Sequence, residues 1–229
     1  MKLGIMQPYF LPYIGYFQLI KAVDKYVLYD DVNYIKKGWI NRNNILCNGN
    51  SHLFTISLNG VSQNKLINQI DIVDNFSKFI KMIQMNYSKA PNFNEVFSIL
   101  KDIVDYPNKN LAIFIYNSIK KICDYLEINT EILLSSDIKK NNNLKGQDKI
   151  IDICKVLKAD VYINAIGGQK LYDKNIFLEN GIELYFLDSK IISYNQMNKE
   201  FVPFLSILDV MMWNTKEEIN CMLEQYHLI

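Results

Sequence analysis

The chain predicts an α/β protein with a parallel sheet and a helical insertion, and three observations carry that expectation. Residues 2–29 read strand, loop, helix, strand. Residues 131–186 return to the same alternation, and the stretch from 75 to 126 between them carries helical periodicity alone. The expected division of the 229 residues is one domain, with an α/β core at 1–60 and 130–200, a three-helix insertion at 75–126 and a C-terminal helical segment at 201–229.

Lys2 to Met6 is a short apolar run closed by Gln7-Pro8, and the residue before proline is pushed out of the helical region, so a first buried strand ends there. Pro12 and Gly15 bridge to a helical stretch through Phe17, Leu19, Ile20 and Val23. Lys25-Tyr26-Val27-Leu28-Tyr29 is rich in aromatic and branched residues that suit a second strand. Ser51 to Leu58 alternates weakly, and Gly60 opens a turn. Phe76, Phe79, Ile80 and Ile83 recur at helical spacing until Pro91 stops them, and further helical stretches follow at Phe93–Tyr106 and Leu111–Leu126. Glu131–Leu134, Asp160–Ala165 and Ile182–Phe186 read as strands, Lys145–Leu157 as a helix, and Phe201–Met212 as a buried helix.

Composition narrows the function classes. With 25 Lys and Arg against 24 Asp and Glu, the charge is near zero and no basic block offers a footprint for duplex DNA. The N-terminus enters a strand at once and no apolar run approaches about 18 residues, so a cytoplasmic, soluble protein without membrane insertion is expected. Cys47, Cys123, Cys154 and Cys221 are scattered, and His52 and His227 are the only histidines, so no metal site is expected and the thiols read as reduced.

The chemistry concentrates in residues 7–43. In a parallel sheet, the loop after the first strand and the end of the second strand meet at the carboxyl edge, where helix N-termini and unpaired N–H groups favour ligands. Gln7, Tyr9, Tyr13 and Tyr16 lie on that loop and helix start, and Asp30-Asp31 end the second strand. One of the two aspartates can cap a turn, while the other can serve as general base. Lys37, Trp39, Asn41, Arg42 and Asn43 follow; Arg42 suits anion recognition and Trp39 suits either core or stacking on a sugar or base. Gly167-Gly168, between a strand and a helix, permits close backbone approach to a ligand and equally makes a turn.

Gln7 to Tyr16, Asp30-Asp31, Gly38 to Asn43, Gly167-Gly168 with Tyr172, Tyr194 with Gln196, and Ser206 to Asp209 together resemble the WbqC-like protein family over essentially the whole chain. The resemblance implies a role in gene clusters for O-antigen and other surface glycans, and it adds Tyr172, Tyr194 and Gln196 to the candidate substrate-binding residues; Ser206 and Asp209 can simply brace the last helix. A weaker resemblance to nucleotidylyl-transferase-like (HUP-like) three-layer sandwiches rests on Tyr13-Ile14-Gly15-Tyr16, which stands in the register of a His-x-Gly-His motif with both histidines replaced by tyrosine. A neutral tyrosine offers a hydrogen bond but no charge to a phosphoryl transition state, so the fold analogy is stronger than the chemical one.

The resulting expectation is a transferase that N-acylates or aminoacylates a nucleotide-activated amino sugar, with Asp30, Asp31 and Tyr16 as catalytic candidates and the remaining residues named above binding substrate. No prosthetic group is expected; the donor is open between an acyl group, an amino acid activated with ATP, and aminoacyl-tRNA. A non-catalytic sugar-binding scaffold and a nucleotidylyl transferase are the alternatives, and a homodimer is left open.

Overall fold

The computed structural model describes residues 1–197 and 200–229; residues 198 and 199, inside the expected 130–200 core, lie outside the described residues. Five parallel strands form the centre: β1 (Lys2–Met6), β2 (Lys25–Leu28), β7 (Glu131–Leu134), β8 (Val161–Ala165) and β9 (Glu183–Ser189), with β10 (Tyr226–Leu228) antiparallel at one edge. The order is β10-β9-β8-β1-β2-β7, so the winding direction reverses between β1 and β8. This is a mixed α/β sandwich with a mostly parallel sheet.

Strand alternation sends side chains to two separate cores. Leu3, Ile5, Val27, Tyr162, Leu184 and Phe186 pack against α5 (Gly146–Val156) and α6 (Lys174–Glu179). Tyr26, Leu28, Ile163 and Leu187 face α1 (Ile14–Lys21) and the large second core. Gly4 leaves room on that side for the buried Tyr26 ring, which a Cβ there would approach to 3.0 Å.

The second core also takes in the expected insertion, observed as α2 (Ser77–Tyr87), α3 (Phe93–Val104) and α4 (Leu111–Tyr125). Residues 29–60 do not join the parallel sheet, which corrects the expected 1–60 boundary. Here β3 (Arg42–Cys47) and β4 (Asn50–Thr55) form an isolated antiparallel hairpin. Its turn is Asn48-Gly49, both at positive φ (49° and 78°), a backbone twist that matches paired strands and that Asn-Gly adopts at little cost. A second small pair joins β5 (Leu58–Asn59) to β6 (Asp71–Ile72).

The C-terminal segment is helical only in part. Residues 201–205 lie outside any helix, Ser206 accepts the N–H of Leu208 to cap α7 (Ile207–Trp213), α8 (Lys216–Leu223) follows, and the chain re-enters the sheet as β10. Asp209 of α7 is fully buried. Its carboxylate accepts from Tyr87 Oη (2.7 Å), Tyr194 Oη (2.7 Å) and Gln196 Nε2 (3.0 Å), joining α2, α7 and the irregular segment after β9. Burial raises the Asp209 pKa while these donors pull it down, and the net direction is upward. Gln196 also closes its own loop on the N–H and C=O of Val202.

Asp209→Ala is expected to leave the Tyr87 and Tyr194 hydroxyls without this acceptor, at about 1–3 kcal/mol each, while Gln196 keeps the Val202 carbonyl. Urea denaturation should therefore show a loss of at least about 2 kcal/mol, and a loss under about 1 kcal/mol would refute this role.

Candidate functional site

The loop from Gln7 to Tyr13 leaves β1 and runs through the interior, so its polar backbone needs partners. Asn43 Nδ2 (2.7 Å) and Ser206 Oγ (2.8 Å) both donate to the Leu11 carbonyl. The Phe10 N–H donates to Ile40, the Ile207 N–H donates to Pro12, and Tyr16 Oη donates to the Gln7 carbonyl at 2.9 Å. Leu11 itself sits at a φ of 47°, unusual for a branched residue and held by those contacts.

This anchoring displays Tyr9 and Tyr13 at the carboxyl edge. Tyr13 precedes α1, and its ring lies so close over Gly15 that a Cβ there would come within 2.4 Å of it. Gly15 thus makes room for the chain's own ring rather than for a ligand.

Two clefts share Tyr9. The first, about 560 Å³, opens where the strand order reverses and is lined by Gln7, Tyr29, Asn164, Gly167, Gly168, Tyr172 and the N-terminal residues Gly146 and Gln147 of α5. A Cβ on Gly167 would meet no atom within 4 Å, whereas one on Gly168 would stand 2.9 Å from the Asn164 amide. Asn164 in turn donates to Tyr162 Oη and accepts the Ala165 N–H. Gly167 therefore faces open space, and Gly168 is packed. Burial lifts the Tyr172 phenol above its ordinary value against hydrogen bonds from its neighbours Tyr162 and Asn164. The Gln7 amide makes no hydrogen bond among the described residues.

The second cleft, about 690 Å³, is lined by Tyr9, Tyr13, Trp39, Ile191 and Phe204, with Asp188 from the end of β9. Among the described residues Asp188 is the only carboxylate lining either cleft.

Several expected site residues serve the framework instead. Tyr16 is buried, its phenol pushed far above the ordinary value by desolvation and its hydroxyl donated to the Gln7 carbonyl. Asn41 is buried between Tyr34 Oη and the Ile56 carbonyl. Asn43 borders the second cleft but spends its amide on Leu11. Arg42 donates to the carbonyls of Gly38 and Lys37 and lies 5.7 Å from the Trp39 ring centre, so it holds the loop that carries Trp39. The Lys37 side chain is exposed, at a φ of 61°. Tyr194 and Gln196 gather on Asp209, away from the first cleft.

Both aspartates from which the general base was expected are also committed. Asp30 is 1% exposed and accepts the Ser136 N–H (2.9 Å) and the Asn68 amide (3.2 Å), fastening the ends of β2 and β7. Asp31 binds Lys140 at 2.8 Å and Lys149 at 3.0 Å, two lysines whose side chains are nearly inaccessible. Burial alone would raise the Asp31 pKa, but hydrogen bonds from Lys140, Ser135 and Lys149 outweigh it and hold the carboxyl below its usual value. Lys149 also donates to the Asp31 carbonyl and stands 5.1 Å from the Tyr29 ring centre, so it pins the first turn of α5 to the end of β2 as a wall of the first cleft.

The chain is thus a mixed α/β sandwich whose aromatic and amide-lined clefts open at the carboxyl edge of a mostly parallel sheet, the place where such sheets collect ligands. It belongs to the WbqC-like protein family, whose model matches residues 7–221. The uncharacterized protein Rv1507c of Mycobacterium tuberculosis is 28% identical over 215 residues, covering 92% of each chain. No solved structure matches the chain. Among the described residues no group of acidic, histidine and cysteine side chains could hold a metal ion, and no helix is long and apolar enough to cross a membrane.

Asp31→Asn leaves Lys140 and Lys149 buried without their counter-charge and should cost about 3–5 kcal/mol at neutral pH. Because the folded pKa of Asp31 is lowered, its contribution is complete above the unfolded carboxylate value and is lost as pH falls through the folded one. Urea titrations should show the gap between wild type and variant narrowing below about pH 4, and a gap of constant size there would contradict the assignment.

Proposed function

We propose that the protein is a cytoplasmic transferase of surface-glycan biosynthesis (O-antigen, capsule or glycoprotein glycan) that N-acylates or aminoacylates, for example glycylates, a nucleotide-activated amino sugar. The observation that carries this reading is the first cleft. At the reversal of the strand order it combines a glycine open to solvent, the start of α5, aromatic rings and an uncommitted Gln7 amide. Open backbone and a helix start suit a diphosphate, rings suit a base, and amides suit hydroxyls. The strand order also favours the finer assignment of a nucleotidylyl-transferase-like (HUP-like) three-layer sandwich.

In the reaction, the sugar nitrogen bonds to the donor's carbonyl carbon, the bond from that carbon to the leaving group breaks, and the amine proton must be accepted. Asp30 and Asp31 are tied elsewhere, so the acceptor falls to Asp188 on the far side of Tyr9. The donor, whether an acyl group, an amino acid with ATP or aminoacyl-tRNA, is presented from outside the clefts.

Incubating the protein with nucleotide-linked amino sugars and these donors should add the mass of one acyl or aminoacyl group to the sugar. Gly167→Leu should fill the first cleft without touching the framework, raising KM at least about tenfold while leaving the urea midpoint unchanged. Nucleotide-sugar binding without a mass shift for any donor would replace the transferase with a non-catalytic sugar-binding protein.

A further inference from the structure

We propose that the second cleft seats the amino sugar ring itself, with the ring's ammonium on Asp188 and its C–H face on Trp39; this rests on the reading above and names the part of the substrate that the first cleft does not hold. The clefts share Tyr9, so a ligand whose nucleotide occupies the first reaches the second over that ring.

Charge decides the class of ligand. Asp188 makes no ion pair or side-chain hydrogen bond among the described residues, and it lies near enough to Tyr13 for its charge to act on that phenol. Among the described residues no lysine or arginine lines this cleft, and the nearby Arg42 guanidinium is spent on the carbonyls of Gly38 and Lys37, so a phosphate or carboxylate would meet the Asp188 charge with little to offset the repulsion. An ammonium finds a carboxylate there together with the faces of aromatic rings, which attract cations.

The walls decide its shape. Trp39 is 47%, Phe204 63% and Ile191 64% exposed, three large apolar side chains left to water around one opening. Apolar groups clustered in this way mark a surface that a ligand covers. Arg42, fixed on the carbonyls of Gly38 and Lys37, steadies the Trp39 ring, so the platform is preformed. A purely aliphatic ligand would desolvate Asp188 without compensation. A pyranose ring carrying an amine has both the apolar C–H face and the cation.

The test reads Trp39 fluorescence, with Trp39→Phe as the control that assigns the signal. Glucosamine and glucose are titrated at slightly acidic pH, followed by UDP-glucosamine, UDP-glucose, UDP and dTDP. Glucosamine should quench at a half-saturating concentration about tenfold or more below that of glucose, and UDP-glucosamine should show the same preference over UDP-glucose. In Asp188→Asn the preference should fall to near unity with UDP affinity unchanged. Equal binding of the amino and hydroxyl sugars, or a preference that survives Asp188→Asn, overturns the ammonium site and leaves the transferase reading standing. A retained preference for glucosamine with no binding of UDP or dTDP supports the ammonium site and overturns the nucleotide half of that reading.

Discussion

The architecture of the site depends on one buried stretch of backbone. Residues 7–13 pass through the interior between the sheet and the hairpin, where an unpaired carbonyl or N–H costs as much as a lost hydrogen bond. The partners come from three distant places: Tyr16 on α1, Ile40 and Asn43 by the hairpin, and Ser206 with Ile207 at the start of α7. Each of these segments must arrive before the loop is satisfied. The loop's conformation is therefore a property of the whole fold, and the positions of Tyr9 and Tyr13 inherit that rigidity.

This accounts for much of what the sequence displayed. The strand ends at Met6 and Leu134 and the glycine pair after β8 were legible, because apolar runs closed by polar or glycine residues mark where a parallel sheet turns, and the end of β2 fell one residue before the expected Tyr29. The roles of Tyr16, Asn41 and Asn43 were not. An amide bound to a carbonyl 32 positions away reads, in one dimension, like an amide offered to a ligand. The hairpin did carry its own signal in Asn48-Gly49, and the weak alternation after it drew attention to a parallel strand instead.

Charge was the least legible feature. Asp30 and Asp31 stand at the expected edge, yet which neighbours they meet depends on residues more than 100 positions later: Ser136 for one, Lys140 and Lys149 for the other. Nothing in the composition around Lys140 or Lys149 marks them as buried, since a lysine stem covers apolar surface equally well when its head is in water. Asp188 was hidden by a boundary. The expected strand stopped at Phe186, whereas β9 runs to Ser189 and carries Asp188 to the same edge as Gln7.

One ring standing in the walls of two clefts also sets how they communicate. On the proposed reading Tyr9 forms a wall of the nucleotide side and of the sugar side together, so a ligand that fills one cleft meets the same fixed ring that bounds the other. A ring already held by its loop has little ordering left to lose, so both halves of such a ligand would bind against a wall that is set in advance. In such an arrangement the linkage between base and sugar acts as a ruler, and a fragment of the substrate senses only half of it.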